Sequence, residues 1–171
     1  MEQIRNFGDE RQVAQCAYCG RDTPTRDHVP SRVLLDEPYP ENLPVVPACR
    51  ECNEGFSADE EYVACLIDCV ISGTTSPEKV QREKVRRILL NKQALTARLA
   101  ATRKEKRGAT EYSIEDSRVR NLVLKLGRGH ALFELNEPQY EKPSSVGYIP
   151  LLSATAKFHP TPSGSIEWAF P

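Results

Sequence analysis

Residues 16–53 read CAYCGRDTPTRDHVPSRVLLDEPYPENLPVVPACRECN. Two C-x-x-C pairs frame the stretch, Cys16 with Cys19 and Cys49 with Cys52. This spacing sets two thiolates on one tight turn, where they can take two corners of a tetrahedron. Gly20, directly after the first pair, supplies the backbone freedom such a turn needs. Four thiolates complete a structural zinc and leave no position open for water. The expected Zn²⁺ at Cys16, Cys19, Cys49 and Cys52 therefore holds the fold and does no chemistry.

The loop between the pairs is 29 residues, too long for a plain zinc ribbon. It carries Asp27-His28 and then Asn42, and Asn53 directly follows the last cysteine. Over about residues 16 to 62 this pattern resembles the HNH nuclease family, of the ββα-metal class, in its four-cysteine form. The resemblance places an acidic residue and a histidine at the end of a strand, an asparagine in a loop, and His or Asn on a following helix. The three letters here would be His28, Asn42 and Asn53. Where the family often has a basic residue after the last letter, this chain has Phe56 and Ser57, then Asp59, Glu60 and Glu61.

Phosphodiester hydrolysis needs a base for water, countercharge for the phosphate and support for the leaving oxygen. Neutral imidazole suits the first task, since its ordinary pKa of about 6.5 lies near working pH. A hard divalent cation suits the other two, and it prefers oxygen ligands. The resemblance implies His28 as the base and Asp27 and Asn53 as ligands of a catalytic Mg²⁺ or Mn²⁺. It implies that Asn42 ties the loop across the strand and holds the His28 backbone. Asp27 and His28 are adjacent, so on a strand their side chains point to opposite sides.

Composition and charge bound the rest. Charged residues at 27% and apolar residues at 39% suit an ordinary globular chain, long enough to bury a core. The first residues hold no apolar run, so the expected location is cytoplasmic, and no stretch approaches a membrane span. There paired C-x-x-C motifs read as metal ligands rather than disulfides. The net charge of −1 conceals an asymmetry. Residues 1–76 carry 6 Lys+Arg against 14 Asp+Glu, a net of −8; residues 77–130 carry 15 against 6, a net of +9. The expected nucleic-acid surface is thus on the middle segment, at Arg103, Lys104, Lys106 and Arg107 with Lys92.

Residues 1–15 read as a lead-in. Short strands are expected near Asp27–Val29 and among Leu43, Val45 and Val46. A helix is expected to open at the second knuckle, and an apolar-patterned helix follows from Asp59 to Ser72, stopped by Gly73. Ser76-Pro77-Glu78 starts a helix expected to run to about Lys106, a rod of roughly 45 Å. Val80, Val85, Ile88, Leu89, Leu95 and Leu99 line its inward face, and Lys92 and Arg103 would share a side toward a duplex. Another helix is expected from about Glu115 to Leu126, and strands at Val146–Leu152, Ala156–His159 and Ile166–Phe170. Cys65 and Cys69 read as core, and His130 and His159 receive no role.

These readings give an α+β protein. A zinc-stapled ββα-metal module covers 1–62, a helical basic elaboration covers 63–140, and a β tail packed on the same domain covers 141–171. The expected function is a metal-dependent endonuclease, with DNA ahead of RNA as substrate. The rival is a non-catalytic zinc-ribbon module that binds nucleic acid or protein.

Overall fold

The computed structural model describes residues 14–23, 25–106 and 109–148. Two four-residue strands, β1 (Thr25–His28) and β2 (Val45–Ala48), pair antiparallel, with Asp27 opposite Val46 and His28 opposite Val45. The connection between them is irregular apart from one 3-10 turn at Arg32–Leu34, as its prolines require. Pro47 has no N–H for the ladder, and its carbonyl accepts from Ala17 N at 2.9 Å. That bond ties the first knuckle to β2.

Helix α1 (Arg50–Ser72) opens directly after Cys49, whose thiol caps it by accepting from Cys52 N at 3.4 Å. It is one helix where two segments were expected, and it runs unbroken through residues 62 and 63. Gly73 ends it at φ 65°, a left-handed conformation that glycine adopts without strain.

The expected rod from Ser76 to Lys106 is broken instead. A 3-10 turn at Pro77–Lys79 leads to α2 (Glu83–Asn91) and α3 (Gln93–Thr102). Lys92, at φ −112° and ψ 67°, leaves the helical region between them. Thr96 Oγ1 donates to the Leu89 carbonyl at 2.7 Å, satisfying an acceptor the break exposes. Bending allows Val85, Leu89 and Leu99 to reach one core, which a straight 45 Å rod could not do against α1, about 35 Å long. Lys92 and Arg103 therefore share no helix face.

Residues Arg103–Lys106 form β3 rather than a helix end and pair antiparallel with β4 (Ala109–Tyr112). Helix α4 (Asp116–Leu135) continues past Gly127 and Gly129 to Asn136, which takes the left-handed conformation at φ 56°. Val146–Tyr148 form no strand, and the remaining tail strands and residues 1–13 lie outside the described residues.

The architecture is α+β: among the described residues, four helices and two two-stranded sheets. Two apolar clusters carry it. One gathers Tyr62, Leu66 and Cys69 of α1 with Val85, Leu89, Leu99 and Leu122. The other gathers Cys16, Tyr18, Val29, Val46 and Ala48 with Leu132 of α4. Leu126 packs against both, so α4 is the beam that joins them. None of the described helices is long and apolar enough to cross a membrane.

Candidate metal centre and the strand beside it

The sulfurs of Cys16, Cys19, Cys49 and Cys52 lie within 4.8 Å of one another. Those of Cys19 and Cys49 are 3.7 Å apart, close to the roughly 3.8 Å edge of a tetrahedron with Zn–S bonds of about 2.3 Å. The group can therefore hold a structural zinc ion. Gly20, at φ 73°, turns the first knuckle, and its N–H donates to the Cys16 carbonyl at 2.9 Å. The second knuckle sits on the N-terminus of α1, whose partial positive charge favours thiolates.

Arg21, which the cysteine spacing does not reveal, adds to this. Its Nε donates to Cys19 Sγ at 3.4 Å, and its Nη2 meets Glu51 Oε2 at 2.7 Å. Burial alone would raise the Cys19 thiol, but the Arg21 side chain and neighbouring donors lower it to about 6. Burial pushes Cys16 and Cys52 upward. Cys65 and Cys69 are separate: both are fully buried in α1, and burial raises them to about 12 and about 11.

β1 alternates as a strand must. Arg26 and His28 lie toward the open face, while Asp27, only 6% exposed, points inward. Burial lowers the His28 pKa first, the Arg32 guanidinium adds to it, and Asp27 opposes both. The imidazole is thus held neutral at neutral pH. Asn53 donates its amide nitrogen to the Arg26 carbonyl at 3.2 Å and to Thr25 Oγ1 at 3.4 Å. Thr25 Oγ1 donates onward to the Ala48 carbonyl at 2.6 Å, so α1, β1 and β2 are laced together. Asn42 is exposed in the loop and hydrogen-bonds to none of the described residues through its side chain. The tie across the strand end is made by backbone instead, Val29 N to the Pro44 carbonyl at 3.0 Å.

Asp27 has partners the sequence did not suggest. Lys125 Nζ of α4 lies 2.8 Å from its Oδ2, and Tyr18 donates its hydroxyl to the same oxygen at 2.8 Å. Lys125 also bonds Glu60 of α1. Lys125 is fully buried and Glu60 is 5% exposed. Burial raises the Glu60 pKa, with Lys125 opposing, and burial together with Asp27 keeps Tyr18 protonated. As placed here, Asp27 and Asn53 do not form an open oxygen pair for a hydrated divalent cation. One is bonded to an ammonium inside the fold, and the other turns its amide toward β1.

A periodic signal for this triad exists in the sequence. Leu122, Lys125, Gly129 and Leu132 lie on one stripe of α4, and all four are buried. A lysine on such a stripe calls for a buried carboxylate. Glu60 looked like part of the acidic run Asp59–Glu61. Its neighbour Asp59 binds Arg118 and Asn121 at 2.6 Å each, a second link from α1 to α4.

Of the basic residues expected to meet nucleic acid, Lys92 pairs with Glu61, and Arg103 binds the Gly73 carbonyl at 3.1 Å and Glu105 at 2.8 Å. Lys104 is exposed on β3; the Lys106 side chain and Arg107 lie outside the described residues. No protein family, no curated protein and no solved structure matches this chain.

Proposed function

We propose that this chain is an endonuclease of the ββα-metal kind, hydrolysing phosphodiester bonds with His28 as general base and DNA ahead of RNA as substrate. The observation that carries the reading is His28 itself. Its imidazole sits half-buried at the end of β1, biased toward the neutral form that takes a proton from water. The Asn53 bonds fix the opposite, Thr25–Arg26 end of β1 to α1, and the Val29 N–H to Pro44 carbonyl bond ties down the His28 end. The HNH resemblance also implies a catalytic Mg²⁺ or Mn²⁺ at Asp27 and Asn53, but Lys125 holds Asp27 and Asn53 turns its amide to β1, so the two residues do not fit a hydrated ion. Arg103 on β3 binds Gly73, at the far end of α1 from the cysteines. A duplex meeting both ends would run along the helix, over roughly 30 Å.

One observation favours a second reading, a non-catalytic zinc module. A carboxylate neutralised inside the fold, as Asp27 is by Lys125, needs no ion. The test is nicking of supercoiled plasmid by zinc-loaded protein with Mg²⁺ or Mn²⁺, with EDTA, and with His28→Ala. Nicking that needs the cation and His28 supports the endonuclease. Equal nicking by His28→Ala overturns the assigned base, and plasmid binding without nicking under either cation favours the second reading.

A further inference from the structure

We propose that Lys125 is the resident cation of the Asp27–Glu60 carboxylate pair, and that truncating its side chain opens a divalent-cation site in the same place. The three residues come from three elements: Asp27 from β1, Glu60 from α1 and Lys125 from α4. The ammonium lies 2.8 Å from Asp27 Oδ2, bonds Glu60 Oε1, and stands 5.7 Å from the centroid of the Phe56 ring. Tyr18 completes the enclosure through its bond to Asp27, and its ring packs edge-on against Phe56 at 5.0 Å. Two carboxylates face one ammonium, so the pocket offers more negative charge than a monovalent cation balances.

Lysine brings a point charge and three donors on a flexible stem. A hard divalent cation wants carboxylate oxygens and keeps several waters. Lys125→Ala removes the ammonium and most of its stem. It leaves two carboxylates, the Tyr18 oxygen and room for water, a set whose charge and atom type suit Mn²⁺ or Mg²⁺. In the wild-type chain the cation is tethered covalently, so no chelator removes it and no divalent ion enters beside it. In the wild-type chain this pocket is therefore no seat for a catalytic ion, and the exchange of ammonium for ion does not rest on the endonuclease reading.

The test uses zinc-loaded full-length wild type, Lys125→Ala, Lys125→Ser and Lys125→Ala/Asp27→Asn, each titrated with Mn²⁺. Bound Mn²⁺ is followed by electron paramagnetic resonance and stability by thermal melting. Lys125→Ala or Lys125→Ser should bind one Mn²⁺ and melt higher with it, or fold only when it is present. The wild type should show neither response, and adding Asp27→Asn should abolish both. The inference fails if the wild type binds Mn²⁺ in a manner lost on Asp27→Asn. It also fails if the folded Lys125 variants ignore Mn²⁺, or if neither variant folds in its presence. Plasmid nicking on the same samples separates the two proposals. Wild-type nicking that requires His28 supports the endonuclease whatever the variants bind, whereas a Mn²⁺ site in Lys125→Ala with no nicking by any sample leaves only this inference standing.

Discussion

Replacing Gly129 with alanine drives a methyl group into the side of Val29. A Cβ on residue 129 would lie 2.6 Å from Val29 Cγ2, 2.8 Å from Cγ1 and 3.2 Å from Cβ. Both γ carbons are in the way, and valine is stiff at χ1, so rotation does not clear the contact. Val29 is fully buried and directly follows His28, so either α4 or the end of β1 must move. Forcing an extra carbon into a packed core costs about 1–3 kcal/mol. Against this, Gly→Ala inside a helix gains about 1 kcal/mol. Gly127 isolates the two terms: it lies in the same helix, is exposed, and has nothing within 4 Å of the place its methyl group would take. Gly127→Ala should keep the gain without the clash. The gap between the two variants is then the clash alone, about 1–3 kcal/mol, or roughly 2–12 °C in melting temperature at 2–4 °C per kcal/mol for a chain of this size. Thermal unfolding of zinc-loaded protein, followed by circular dichroism, measures it. Val29→Ala combined with Gly129→Ala should lose less stability than the two single changes summed, because the smaller side chain vacates the contested space. If Gly129→Ala melts as high as Gly127→Ala, the close crossing of α4 over β1 is refuted.

Four other outcomes are expected. Cys49→Ala should release zinc and unfold the chain, since it removes a thiolate and the α1 cap together; metal analysis of a folded variant that retains a full zinc complement contradicts this. His28→Ala should lower nicking about 10²-fold or more with the fold intact. Because burial and Arg32 lower the folded pKa of His28, the unfolded chain takes up the proton first. Its contribution should therefore reduce stability as pH falls below about 6.5, and His28→Gln should remove that part of the pH–stability curve; an unaltered curve argues against the shift. Lys104→Glu should reduce the slope of log K against log salt for nucleic-acid binding by about 0.9 if β3 meets a phosphate, and an unchanged slope places the contact elsewhere.

The features that the sequence determined by itself are local ones. A C-x-x-C pair defines its own turn within four residues, so the four thiols were legible before any packing was known. Gly73 ends α1 and Cys49 begins it through bonds to near neighbours, and the apolar period picks out Val80, Val85, Leu89 and Leu99 as core. Strand alternation sends Asp27 and His28 to opposite faces. What the tertiary structure decided depends on residues far apart in the chain. A rod continuous from Ser76 to Lys106 satisfies local propensity, yet both its halves must bury their leucines in one core, so it bends at Lys92. The run Arg103–Lys106 has little strand preference of its own; pairing with Ala109–Tyr112 and the Arg103 bond to Gly73 make it one. The resemblance implied Asp27 as a metal ligand, and a buried carboxylate is stable only beside a cation. The cation arrives from α4, nearly a hundred residues away in sequence, and only the packing of that helix across β1 and α1 brings Lys125 to it.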